Sequence, residues 1–256
     1  MEMIDLIAQF FKDMPRQGPG SQENTSRALS FIPNLPENAK ILDVGCGTGA
    51  QTLVLAQETQ NIHATIHATD TLPIFLDILQ QKTKTAGLEN SVCVENVSMM
   101  NLPYSPETFD LIWGEGSIYL MGFENGIRSW RPFLKPGGFL AVSEISWLTA
   151  SRPQELENYW KEIYTDIDLT SRKIALLEEN GYTPVAHFVF PDDCWTTHYY
   201  NQIRTRIPNF LSQYADEPKI SSLIEEFSQE AEMYHRFGKY YSYVFYIAQK
   251  NEDPVK

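Results

Sequence analysis

No apolar run in this 256-residue chain approaches the roughly 18 residues that a membrane-crossing helix needs. Basic residues are scarce, 20 Lys and Arg against 33 Asp and Glu, for a formal net charge of −13. A surface of that sign repels phosphate backbones and anionic bilayers, so neither a nucleic-acid partner nor membrane insertion is expected. Cysteine is sparse as well. Cys46, Cys93 and Cys194 lie far apart and form no CxxC pair, which argues against a disulfide framework and a zinc site. Of the five histidines (His63, His67, His187, His198 and His235), only His63 and His67 are spaced HxxxH, and they fall in or beside a predicted strand, where residues four apart are about 13 Å from each other, so no metal is expected. The first residues, MEMIDLIAQFFKDM, are acidic and amphipathic, without the basic start and small-residue cleavage site of a secretory signal; a cytoplasmic location is the expectation. There is no internal repeat.

What the chain does have is rhythm. With 43% hydrophobic and 21% charged residues it has the composition of a globular α/β domain. Short apolar runs at 40–45, 64–70, 91–97, 109–116 and 137–147 predict buried strands. Between them, 49–59, 73–87 and 122–134 have helical spacing, with Pro73 placed as a helix opener and Gly87 as a closer. Strands alternating with helices of this length predict a parallel sheet covered on both faces. After Trp147 the pattern turns helical over 153–180, broken between Asp166 and Thr170. Two final strands, TPVAHFVFP and YYSYVFYIAQK, are separated by a helical insertion at 192–238.

The sequence ILDVGCGTG puts Gly45, Gly47 and Gly49 directly between a buried strand and a helix. Glycine permits positive φ and close backbone approach to a ligand, and ligands of open α/β sheets sit at this end of the strands. Two cofactor classes use such a loop. Dinucleotide folds space their glycines G-x-G-x-x-G. Here the spacing is G-x-G-x-G, with Asp43 two residues ahead and Asp70 ending the next strand, where it suits ribose hydroxyls. A carboxylate at Asp43 would repel a pyrophosphate but attract an ammonium group such as that of a methionine moiety.

These residues resemble the first motif of class I S-adenosylmethionine-dependent methyltransferases. The resemblance continues in order through Thr69–Asp70, SMMNLPY (98–104), FDLIWGEGSIY (109–119) and FLKPGGFLAVSE (133–144). It is strongest to the group related to ubiquinone and menaquinone C-methyltransferases; RQGPGS (16–21) and the terminal YSYVFYIAQK resemble a bacterial set of small-molecule methyltransferases. The resemblance implies a single Rossmann-like domain with a seven-stranded sheet, the last strand antiparallel. Residues 1–38 would be a helical lid, 40–147 the cofactor core and 192–238 part of the acceptor pocket. It also implies a cofactor set. Asp43, Gly45, Cys46, Gly47, Gly49, Gln51 and Thr52 would serve the methionine end, Asp70 the ribose, and Leu72, Ser98 and Met99 the adenine. Ser98 stands where the family usually has an acid. Glu115 would face the methionine or the methyl, and Gln17, Gly18 and Ser21 would belong to the lid.

Methyl transfer from a sulfonium asks the protein mainly to align a nucleophile. Glu115, Glu144 and His198 are the candidate bases. Tyr119, Trp147, Trp160, Trp195 and Tyr199 are candidate walls of a pocket for a quinone-like or other aromatic acceptor, with a homodimer contact as another use for the helix bearing Trp160. The competing readings are a cofactor-binding sensor without catalysis and a nicotinamide-dependent reductase. The second finds a Tyr-x-x-x-Lys pair only at Tyr246 and Lys250, in a predicted strand, where residues four apart are about 13 Å from each other and cannot act together.

Overall fold

The structure is a computed structural model and describes residues 1–252. Its centre is one sheet built from β1 (Lys40–Val44), β2 (Thr65–Asp70), β3 (Val92–Asn96), β4 (Phe109–Glu115), β5 (Leu134–Trp147), β6 (Asp168–Leu169), β7 (Tyr182–Val189) and β8 (Tyr241–Lys250). The strand order is β3-β2-β1-β4-β5-β8-β7, and the two-residue β6 pairs with the end of β5. Strands β1 to β5 pair in parallel, whereas β8 runs antiparallel to both β5 and β7. The expected seven strands are therefore present, with one short addition. Central strands of such a sheet are covered on both faces and so read as continuous apolar runs. Phe109 to Gly114 is buried at every position.

The helices are α1 (Met3–Phe11), α2 (Gln22–Ser30), α3 (Ala50–Glu58), α4 (Pro73–Ala86), α5 (Phe123–Trp130), α6 (Gln154–Ile163), α7 (Thr170–Glu179), α8 (Asp192–Trp195), α9 (Asn201–Gln213) and α10 (Ile220–Phe237). They leave three apolar clusters. One lies on each face of the sheet. The third joins α1 to α9 and α10, with Phe10 edge-on to Phe210 at 4.9 Å and Phe11 stacked on Tyr199 at 6.3 Å. The N-terminal segment and the late insertion, some two hundred residues apart in sequence, thus form one cap. Aromatic pairs of this kind add about 0.5–1.5 kcal/mol beyond the area they bury.

Gly45, Gly47 and Gly49 have φ of 73°, 54° and 84°. Gly49 also caps α3, and a Cβ there would meet Leu79 Cδ1 at 2.1 Å. Gly49→Ala is expected to destabilise the protein by about 2 kcal/mol or more through left-handed strain and this clash, which a thermal melt would register.

Candidate cofactor and acceptor cavities

The turn after β1 is held by its own backbone donors. Gly45 and Cys46 both donate N–H bonds to Thr69 O, at 2.8 and 2.9 Å, stitching the loop to β2. Gly47 N–H goes to Asp70 Oδ2 at 3.0 Å and Thr48 N–H to Gln17 Oε1 at 3.0 Å. Gly49 N–H closes back onto Cys46 O. Every N–H from 45 to 49 therefore already has a protein acceptor, and a pyrophosphate would have to displace them. The discrimination expected of Asp43 comes instead from this occupied backbone.

A cavity of about 420 Å3 opens above the loop. One end is apolar, walled by Thr71, Leu72, Phe75, Val97 and Met99. Asp70 stands at the middle; its Oδ1 accepts from Leu72 N–H at 2.9 Å, so the carboxylate bridges the loops after β1 and β2. The other end is charged. Arg16 Nη1 lies 2.6 Å from Glu115 Oε2, and Thr25 Oγ1 donates to Glu115 Oε1 at 2.8 Å. One guanidinium and one carboxylate side by side complement a zwitterionic amino-acid group. Gln17 and Gly18 line the cavity from above, and Gln17 is fastened by donating Nε2 to Phe11 O at 3.2 Å and Thr48 Oγ1 at 3.1 Å.

A second cavity of about 380 Å3 adjoins the first and shares Gln17, Gly18, Gly116, Tyr119, Tyr199 and Glu226 with it. Its walls are largely aromatic, with Tyr159, Trp160, Tyr164, Trp195 and Tyr243 beyond the shared residues. Glu230 also faces it, half-buried, accepting from Tyr200 Oη at 3.0 Å; burial pushes its carboxyl up to about 7.

Most expected cofactor residues line the first cavity: Gln17, Gly18, Gly45, Cys46, Gly47, Gln51, Asp70, Leu72, Met99 and Glu115. Five do not. Asp43 is fully buried, with its oxygens taken by Gln51 Nε2 at 3.2 Å and Thr52 Oγ1 at 2.6 Å; burial raises its pKa to about 7. Asp43 and Thr52 thus act one layer back, orienting Gln51 and the start of α3. Gly49 is covered by Leu79. Ser21 caps α2, accepting from Asn24 N–H at 3.2 Å. Ser98 turns into its own loop and accepts from Met100 N–H.

Of the aromatic candidates, Tyr119, Trp160, Trp195 and Tyr199 line the second cavity, whereas Trp147 packs edge-on to Tyr241 beneath it. Neither catalytic alternative to Glu115 reaches either cavity. His198 lies within a π-helical turn at Thr196–Tyr200 that carries Tyr199 inward and leaves His198 in an outer hollow beside Ser21 and Glu23. Glu144 is wholly buried in a pair with Lys173, Nζ to Oε1 at 3.0 Å, and accepts from Tyr164 Oη at 2.5 Å. Its pKa is raised by burial while Lys173's is lowered by the same cause. Glu115 keeps its cavity position, with its oxygens bound to a guanidinium and a hydroxyl. The sequence reading overlooked Arg16, Tyr243, Glu226 and Glu230. Arg16 stands inside the quoted RQGPGS and Tyr243 inside the terminal YSYVFYIAQK, neither with a role assigned, whereas Glu226 and Glu230 carry no local motif.

Comparison with known proteins agrees with this geometry. Residues 41–138 match the family described as the methyltransferase domain. Methyltransferase GfsG of Streptomyces halstedii is 34% identical over 107 residues, covering 41% of this chain and 37% of that protein. A demethylmenaquinone methyltransferase of Lactiplantibacillus plantarum is 33% identical over 114 residues, covering 44% and 48% respectively. The chain thus spans less than half the length of these relatives. A Geobacter sulfurreducens S-adenosylmethionine-dependent methyltransferase, solved with S-adenosylhomocysteine, superposes with a TM-score of 0.82 at 14% identity, over 98% of this chain and 99% of that one. The fold is that of the class I S-adenosylmethionine-dependent methyltransferases, and residues 41–138 of its core are those that match the methyltransferase-domain family.

Proposed function

We propose that the chain is an enzyme that transfers a methyl group from S-adenosylmethionine to a small organic acceptor. The observation that carries this reading is the junction of two cavities, one shaped for the nucleoside and amino-acid parts of the donor and one aromatic. In the first, Leu72 and Met99 would cover the adenine, Asp70 would hold the ribose hydroxyls, and Arg16 with Glu115 would meet the methionine carboxylate and ammonium. The donor supplies a methyl group on a sulfonium, displaced in line by the acceptor's nucleophile. Gln17, Gly18 and the cap of α1 with α9 and α10 would exclude water from the reacting atoms. The aromatic second cavity would align an acceptor with an apolar or aromatic body, as the quinone-like reading supposed.

Arg16→Ala is expected to weaken S-adenosylhomocysteine binding about tenfold, or about 1.4 kcal/mol, by removing the carboxylate's partner and leaving Glu115 uncompensated. Calorimetric titration checks it, and an unchanged affinity would count against the amino-acid end at Arg16. Catalysis itself is tested by incubating the protein with S-adenosylmethionine and small-molecule extracts. Formation of S-adenosylhomocysteine that depends on an extract component supports transfer, whereas tight cofactor binding without turnover in any extract supports a sensor.

A further inference from the structure

We infer that the acceptor is a primary or secondary amine carried on an apolar body, recognised by Glu226 and Glu230 of α10 together with the free hydroxyls of Tyr199 and Tyr243. This deepens the methyl-transfer reading and rests on it. Glu226 and Glu230 are four residues apart on α10 and therefore share a face. Glu226 borders both cavities, where donor and acceptor must meet, and Glu230 lies in the aromatic one. Among the described residues no Lys, Arg or His lines the aromatic cavity, and neither carboxylate has a cationic partner. The nearby Lys173 is neutralised by Glu144 behind Tyr164.

The hydroxyls are the independent observation. Tyr199 is only 7% exposed and lines both cavities, yet its hydroxyl makes no hydrogen bond to any described residue. Tyr243 also lines the aromatic cavity. Its hydroxyl, equally unpartnered, lies 3.9 Å from where a Cβ on Gly116 would stand, at the shared wall. Burial raises both phenols well above the ordinary tyrosine range, so they remain neutral and able to accept a hydrogen bond. A ligand in the cavity that supplies N–H donors would give both hydroxyls a partner. Two uncompensated carboxylates, two free hydroxyls and surrounding aromatic faces are together the chemistry that binds an alkylammonium. The same set repels a carboxylate or phosphate.

The reaction balances without a further reagent. The ammonium gives one proton to a glutamate carboxylate, and the freed nitrogen lone pair forms the new N–C bond as the donor's C–S bond breaks. The electron pair stays on sulfur, leaving a neutral thioether and an N-methylated ammonium.

The test is calorimetry on the protein saturated with S-adenosylhomocysteine, using ethanolamine, phenethylamine and tryptamine against phenethyl alcohol and 3-phenylpropionate. At least one amine should bind tenfold or more tighter than the alcohol and the acid. The double variant Glu226→Gln with Glu230→Gln, itself saturated with S-adenosylhomocysteine, should reduce that preference to about threefold or less. Equal binding of amine and alcohol, tighter binding of the acid, binding by none of the amines, or a preference that survives the double variant would overturn the inference. Failure of S-adenosylhomocysteine itself to bind would instead overturn the methyl-transfer reading, and the amine series is then run on the protein alone to judge the amine site separately.

Discussion

Asp70→Ala lowers affinity for S-adenosylhomocysteine about a hundredfold while the circular dichroism spectrum stays native. The expectation follows from two jobs done by one carboxylate. Asp70 borders the cavity at the end of β2, where it can accept both ribose hydroxyls, and hydrogen bonds to a charged acceptor contribute about 1.5–3 kcal/mol each. It also receives Gly47 N–H and Leu72 N–H at 3.0 and 2.9 Å, so the side chain holds the glycine loop in register with the next loop. Losing both roles gives about 2.7 kcal/mol or more, a hundredfold. The fold survives because the freed amides sit beside an open cavity that water can enter. Asp70→Asn keeps one acceptor oxygen and should cost about tenfold. An Asp70→Ala protein with unchanged affinity would mean that the ribose lies elsewhere.

The second large effect concerns stability. Glu144 and Lys173 are 0% and 1% exposed, and each neutralises the other inside the fold. Removing one partner of such a pair leaves a bare buried charge and costs about 3–5 kcal/mol. Lys173→Met should therefore lower the melting temperature by roughly 6–20 °C in a protein of this size. Removing both charges, as in Lys173→Met with Glu144→Met, should recover much of that loss. The comparison separates two roles for Glu144. A structural pair predicts collapse of stability in the single variant and its recovery in the double one. A Glu144→Met protein that melts like the parent but no longer turns over would restore Glu144 as a base.

Periodicity disclosed most of the sheet. Buried strands such as β4 announce themselves as apolar runs, and α4 is bounded by Pro73 and Gly87, whose backbone preferences are local. The break between Asp166 and Thr170 was legible too, although the two-residue β6 inside it was not, because two residues carry no period. The lining of the cavity above the glycine loop was legible for the same local reason: Gly45, Gly47 and Asp70 are fixed by turns within a few residues of their strands. Asp43 was placed correctly in sequence and wrongly in space. Its side chain points back from the strand end to Gln51 and Thr52, a direction that spacing alone does not give. The aromatic cavity was the least legible. Its walls come from α6, the π-helical turn, α10 and β8, which meet through long-range packing such as Trp160 on Tyr241 and Trp195 on Tyr234. His198 and Tyr199 are adjacent in sequence, and a single π turn decides which of them faces the reaction.

The most direct measurement is a calorimetric titration of the whole chain with S-adenosylhomocysteine and, separately, with NADH. Saturable binding of one S-adenosylhomocysteine per chain, with no heat from NADH, is the predicted result, because every N–H from 45 to 49 is already occupied and the cavity's charged end fits an amino acid. Saturable NADH binding with no response to S-adenosylhomocysteine would contradict it.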